Sequence, residues 1–165
     1  MWESGGVVVT LRDLRVDDAD WIYDACQDAE IQRWTLVPRP YLREHAESFV
    51  STGAGEFRNW VIESAESRPV GMISVHSIDD GVASIGYWIA PWGRGVGAAS
   101  AALRLVIDEL HAMGGVVAVT ANIAEANVAS RRTVEACGFV VAATVPGGGV
   151  DHGVKVAAVS YRRAI

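Results

Sequence analysis

Apolar residues recur along this chain in two periods. Val70–Ser77, Ser84–Ala90 and Val116–Ile123 are short β-branched or aromatic runs that predict strands, and Ser84–Ala90, apolar on both alternating faces, predicts a buried central one. Val7–Arg15, Phe57–Ser64 around Trp60-Val61-Ile62, Phe139–Val145 and Val154–Tyr161 predict further strands. Leu103, Val106, Ile107 and Leu110 instead recur at i, i+3, i+4 and i+7, one face of a helix that Gly114-Gly115 ends. Ala19–Ala29, behind a cap at Asp17 or Asp18, and Tyr41–Thr52, with Leu42, Ala46, Phe49 and Val50 on its apolar side, predict two earlier helices. A shorter helix opens at Ala126 or Asn127 and runs to Cys137, before Gly138. Asp79-Asp80-Gly81 signals a hairpin, and the Pro146–Gly153 stretch predicts a mobile loop. Helices alternate with strands in the middle and hairpins dominate the ends. The expected fold is α/β in the broad sense: one domain over residues 1–165, with a mixed, mostly antiparallel sheet of about six or seven strands and helices on both faces.

The junction after the central strand carries candidate chemistry. Pro91 cannot extend a ladder, Gly93, Gly95 and Gly97 follow, and a helix begins at once. Each glycine costs about 0.5–1 kcal/mol of chain entropy, and an exposed row of backbone N–H groups at a helix start is a cradle for phosphate. Two common phosphate loops do not fit. Gly97-Ala98-Ala99 lacks the Lys and Ser/Thr of a nucleotide-triphosphatase loop. A dinucleotide loop needs a third glycine where Ala98 stands, and a carboxylate after the next strand where Thr120-Ala121-Asn122 stands.

Trp92-Gly93-Arg94-Gly95-Val96-Gly97 resembles the coenzyme A pyrophosphate loop of the GNAT superfamily of N-acetyltransferases, with Trp92 where that family carries Gln or Arg. A second stretch strengthens the resemblance. Asn127, Ser130, Glu135 and Gly138-Phe139 match the spacing with which the superfamily opens the helix beside the pantetheine arm. The same residues also make sense as a helix cap, an Arg131–Glu135 pair and a glycine stop. Trp-Gly-Arg-Gly, with Arg33-Trp34-Thr35, Pro38 and Pro40-Tyr41 upstream, looks like the RimJ/RimL subgroup, which acetylates ribosomal proteins at their N-termini.

The resemblance implies that strands Ser84–Ala90 and Val116–Ile123 splay around acetyl-coenzyme A as co-substrate. Amides near Ile89 and Ala90 would then bind the acetyl oxygen. Arg94, Gly95, Val96, Gly97 and Ala98, with Asn127 and Ser130, would hold the cofactor. It implies direct attack by an amine, with Ser130 as the acid for the departing thiolate, because Val134 stands where many members carry Tyr. The central strand holds no carboxylate or histidine. The base is left among Glu63, His76, Glu125, Asp151, His152 and a water held by Asn122. Trp34, Tyr41, Trp60, Trp88 and Trp92 are candidates for the acceptor wall, Trp92 foremost.

Composition narrows the partners. The net charge of −6 argues against nucleic acid and suits an amine. Cys26 and Cys137 have no metal spacing and suggest buried free thiols. The start of the chain reads as no signal peptide, and no apolar run reaches a membrane span, so a cytoplasmic protein is expected. At pH 7 a neutral α-amine costs about 1 kcal/mol to reach and a neutral lysine between about 4 and 5, so a site without an obvious base suits an α-amine. The expected function is acetyl transfer to a protein or peptide N-terminus. The alternatives are a small amine, such as an antibiotic or polyamine, and a non-catalytic acyl-coenzyme A binding module. A homodimer is also implied by the resemblance.

Overall fold

A computed structural model describes residues 6–165; Met1–Gly5, part of the stretch read above for a leader, lies outside the described residues. The strands are β1 (Val9–Asp13), β2 (Arg58–Ser64), β3 (Pro69–Asp79), β4 (Val82–Ile89), β5 (Ala118–Ala124), β6 (Val140–Asp151) and β7 (Val154–Ala164). They form a seven-stranded sheet in the order β1-β2-β3-β4-β5-β7-β6. All neighbours are antiparallel except β4 and β5. The helices are α1 (Ala19–Ala25), α2 (Ala29–Trp34), α3 (Arg43–Thr52), α4 (Ala98–Met113) and α5 (Val128–Ala136).

The apolar stripe of α4 is the one the spacing predicts. Leu103, Val106, Ile107 and Leu110 are buried, and they pack in one cluster with Ile73, Val75, Ile85 and Val119 of the sheet. The opposite face of the sheet carries a second cluster, in which Ile22, Ile31 and Ala46 of α1, α2 and α3 cover Val61 and Met72. Side chains alternate along a strand. Ile85, Tyr87 and Ile89 of β4 therefore belong to the α4 side, and Trp88 to the α1–α3 side. Both cysteines are buried and free. Among the described residues, no helix is long and apolar enough to cross a membrane.

Several local expectations change. The segment Ala19–Ala29 is not one helix: α1 stops at Ala25, and Asp28 caps a separate α2 by accepting the Ile31 N–H at 3.0 Å. Asp18 does not cap α1; its carboxylate accepts the Arg15 N–H at 2.7 Å instead. Pro146–Asp151 is not a loop, because β6 runs on to Asp151 with an irregular register against β7 between Val145 and Gly149, and only His152-Gly153 form a turn. The path there is tight, since a Cβ on Gly149 would lie 2.8 Å from the Ala124 Cα. Arg131 and Glu135 do not pair directly. The Tyr161 hydroxyl stands between them, accepting from Arg131 Nε at 3.1 Å and donating to Glu135 at 2.6 Å.

A buried ion pair ties β1 to the turn before α1. The Asp18 carboxylate accepts two hydrogen bonds from Arg12, at 2.9 and 2.7 Å, and one from Trp21 Nε1 at 2.7 Å. Arg12 Nε also lies 3.1 Å from the Glu63 carboxylate, a second ion pair on the same guanidinium. Burial alone would raise the Asp18 carboxyl. The hydrogen bonds from Arg12, the Arg15 amide and Trp21 outweigh burial and hold it below its ordinary value.

Asp18→Asn should cost about 3 kcal/mol, the low end for breaking a buried pair, because Arg12 keeps 17% of its side-chain exposure. A shift in urea midpoint at constant slope would measure this. A carboxyl held below its ordinary value stabilises the fold above about pH 4, where the unfolded chain ionises. That contribution is lost as pH falls through the folded-state value, so the variant should show a flatter acid limb of stability against pH.

Candidate active site

The parallel pair β4–β5 is short. Only Val82, Ala83 and Ser84 pair, with Ala118, Val119 and Thr120. Beyond that point each strand is held by its outer neighbour, β4 by β3 and β5 by β7. The gap between them opens into a cavity of about 960 Å³. Hydrogen-bonding direction fixes which amides face it. The Ala90 N–H donates to Val70 O at 2.8 Å, so residue 90 turns its backbone toward β3. By the alternation of an antiparallel ladder, Trp88 does the same, and Tyr87 and Ile89 turn their N–H groups toward the gap. The expectation for Ile89 is consistent with this geometry. The Ala90 amide is already spent and does not line the cavity.

The glycine loop curls over one end of the cavity, and its glycines are there for different reasons. Gly95 and Gly97 have φ of 80° and 81°, a left-handed conformation with open space where a Cβ would go. Gly93 instead lies against β3, where a Cβ would sit 2.6 Å from the Val70 Cβ. The Ala101 N–H is the first to find a partner inside α4, the Gly97 carbonyl. The amides of Ala98, Ala99 and Ser100 are therefore the unpaired first turn, and these residues line the cavity. Arg94 also lines it, with its guanidinium held by Asp28. The hydrogen bond from Arg94 keeps the Asp28 carboxyl below its ordinary value. Val96 is exposed and does not contribute to the lining.

Across the gap, Asn127 caps α5 by accepting the Ser130 N–H at 3.3 Å. Ser130 Oγ lies 2.9 Å from the Tyr87 hydroxyl, which also donates to the Ser130 carbonyl at 3.2 Å. Burial pushes the Tyr87 phenol up to about 12, against weaker opposing hydrogen bonds from Ser130 and Thr133. Tyr87 is a site residue that sequence reasoning missed. Its phenol is neither a carboxylate nor a histidine, the side chains that mark a strand as carrying a base. Val134, where the resemblance would place a tyrosine, is fully buried core.

The far end of the cavity is walled by α2, α3 and their connection. Trp34, Tyr41 and Trp88 line it. Trp88 packs on Trp21 with ring centroids 5.6 Å apart. Trp92 does not line it: its indole N–H donates to the Pro69 carbonyl at 2.8 Å, under the Arg68 guanidinium. Trp60 is core, capped by Arg58. Of the candidate bases, His76 lines the cavity, as does Asn122, whereas Glu63, Glu125, Asp151 and His152 do not. Asp151 is bound to Arg33 at 2.9 Å, and that hydrogen bond holds its carboxyl below its ordinary value. Gly148-Gly149-Val150 of β6 complete the wall, where a free loop was expected.

A family profile described as "Acetyltransferase (GNAT) domain" matches residues 9–140. No curated protein matches the sequence. Many solved structures share the fold. RimJ of Mycobacterium smegmatis, solved with CoA-disulfide, superposes with a TM-score of 0.83 at 21% identity, over 96% of this chain and 82% of that one. RimL, a ribosomal L7/L12 α-N-protein acetyltransferase solved with coenzyme A, gives 0.84 at 18% identity, over 95% and 94%. Spermidine N-acetyltransferase of Vibrio cholerae, solved with CoA and spermine, gives 0.79 at 20%, over 94% and 95%.

The two kinds of glycine should respond oppositely to substitution. At Gly97, Ala should cost roughly 1–2 kcal/mol for the left-handed conformation, and Asn, which tolerates that region, should cost less. At Gly93 the order should reverse, because the larger Asn must displace Val70. Thermal unfolding of the four variants tests this.

Proposed function

Because this chain belongs to the GNAT acetyltransferase family, we propose that it transfers the acetyl group of acetyl-coenzyme A to the α-amine of a protein or peptide N-terminus. The observation that carries this is the wedge between β4 and β5, with unpaired amides along one wall and the first turn of α4 at its end. The fit to the co-substrate is specific. The amides of Ala98, Ala99 and Ser100 and the left-handed turns at Gly95 and Gly97 suit a pyrophosphate. The gap suits an extended arm that hydrogen-bonds to a strand edge. The co-substrate supplies an activated acyl group as a thioester. The Tyr87 and Ile89 amides donate to the acetyl oxygen as it gains charge, worth about 2.7–4 kcal/mol per donor where such donors have been removed.

Ser130 stabilises the departing sulfur by turning its hydroxyl proton from the Tyr87 oxygen to the thiolate, while Tyr87, whose proton stays on the Ser130 carbonyl, holds the serine in place. A phenol near 12 is a poor proton source for a thiolate whose own acid lies near 8.5, since full transfer would cost about 5 kcal/mol. The pair therefore acts by hydrogen bond rather than by giving up a proton. This refines the role of general acid implied for Ser130.

An α-amine suits the cavity better than a polyamine. A multiply charged chain needs several free carboxylates. Glu30, on the wall, already accepts from Trp34 Nε1 at 3.0 Å, and Glu56 is bound to His76. Release of coenzyme A thiol, followed against a panel of peptides, lysine side chains, spermidine and aminoglycosides, tests the acceptor. The expected order is peptide α-amine first, with lysine slower on the same peptide at pH 7. Ser130→Ala and Tyr87→Phe should each lower kcat by about tenfold, the loss of one hydrogen bond worth about 1.4 kcal/mol, with the affinity for acetyl-coenzyme A unchanged in titration calorimetry. Binding of acetyl-coenzyme A with no thiol release for any amine would instead favour a non-catalytic module.

A further inference from the structure

The cavity contains a carboxylate–imidazole pair that the fold has gone out of its way to build. His76 Nδ1 lies 2.5 Å from the Glu56 carboxylate. An ionised carboxylate only accepts, so the proton of the neutral ring sits on Nδ1 and the lone pair is on Nε2. Among the described residues, Nε2 has no hydrogen-bond partner.

Two backbone features aim that lone pair. His76 is the extra residue of a bulge in β3: Val75 pairs with Ile85 and Ser77 with Ser84, leaving residue 76 unmatched. Bulges re-aim side chains and are frequent beside active sites. The ring then lies across β4 at Gly86, the only residue type that leaves it room. A Cβ there would stand 2.6 Å from Nε2 and 3.0 Å from Cε1. Gly86 and Trp88 share the α1–α3 face of β4. The neighbouring Tyr87 sends its amide into the gap and its phenol to the other face. The imidazole is thus one residue along the strand from an amide available to the acetyl oxygen, on the side from which the aromatic wall admits an acceptor.

We propose that His76, oriented by Glu56 and seated on Gly86, is the catalytic base that takes the proton from the incoming ammonium group. The inference rests on the transfer reaction proposed above and names the group that reaction lacked. His76 Nε2 takes one proton from the ammonium and releases it to solvent through the open cavity. The nitrogen lone pair forms the N–C bond, the C–S bond breaks with its electrons going to sulfur, and the second nitrogen proton goes to the thiolate. Glu56 is a positioning residue that fixes the tautomer. The half-exposed setting of His76, at 47% of its side chain, leaves a path for that proton to leave.

The test uses His76→Gln, Glu56→Gln and Gly86→Ala. Gly86→Ala retains the imidazole but displaces it, and the colliding atoms are the movable end of a side chain, so the strand can persist. With a peptide acceptor, His76→Gln should lower kcat/KM by about a hundredfold, and Gly86→Ala and Glu56→Gln by about tenfold. The dissociation constant of acetyl-coenzyme A should not change in any variant. A series of peptides with α-amines of falling pKa supplies the deciding readout. The deficit of His76→Gln should shrink as the acceptor arrives already deprotonated, because a neutral amine needs no base. A deficit equal for all acceptors, a weakened acetyl-coenzyme A affinity, or a rate within threefold of the wild type would overturn the assignment. Absence of thiol release from the wild type itself would instead overturn the transfer reaction, a separate outcome.

Discussion

Two parallel strands that begin as partners and then part are the constraint from which the rest of this structure follows. Backbone N–H and C=O groups inside a fold must be paired. Between β4 and β5 the pairing stops at Ser84 and Thr120, while both strands continue. The separation is imposed from outside. β4 follows β3 up to the Ala90–Val70 hydrogen bond, and β5 follows β7 up to the pairing of Ala124 with Ala158. Helices cover both faces of the sheet, so the unpaired edges are sheltered without being closed. A guest that is itself extended and carries amides can complete them. That is a property of the pantetheine arm and also the reason a compact ligand would fit poorly.

The short helix α2 shows how charge is used around this opening. Asp28 at its start binds Arg94 of the glycine loop, and Arg33 near its end binds Asp151 of the β6–β7 hairpin. The His152 N–H donates to the Arg33 carbonyl as well. The helix is too short to stand alone, and these ties hold it as a strut between two walls of the cavity. One carboxylate that the sequence offers as a base, Asp151, is consumed in doing so: held by Arg33 below its ordinary value, it is a weaker base than a free one.

What the sequence discloses and what it conceals divide along the distance over which each feature is determined. The glycine loop, the stripe of α4 and the Asn127 cap were readable because each is set within a few residues, by left-handed φ, by period or by one hydrogen bond. Trp92 was misread because an aromatic beside a loop can turn either way, and only the Pro69 carbonyl, brought in by β3, decides it. The run Pro146-Gly147-Gly148-Gly149 reads as a loop by composition. It belongs to a strand because pairing with β7 resumes at Gly149, and it is glycine there because β6 passes so close to Ala124 that a side chain could not be accommodated. The bulge at His76 is a mismatch of register between two strands and leaves no mark in either one alone. His76 could therefore be named as one candidate among several, but not distinguished from them.

The period of two along β4 then explains why the proposed chemistry is divided as it is. Tyr87 and Gly86 are adjacent in the chain and so face opposite ways. The phenol meets Ser130 on the α5 side, and the glycine admits an imidazole on the α3 side. A base and a donor to the leaving group that shared one face would hydrogen-bond to each other and quench both. Placing the sheet between them keeps the lone pair of His76 and the hydroxyl of Ser130 apart, on opposite sides of the same gap. The same alternation makes the arrangement fragile in a particular way. A shift of β4 by one residue would bury the imidazole's place under Tyr87 and remove the hydroxyl from Ser130 at once. The Ala90–Val70 hydrogen bond and the packing of Gly93 on Val70 fix the register just beyond the site, where it matters most.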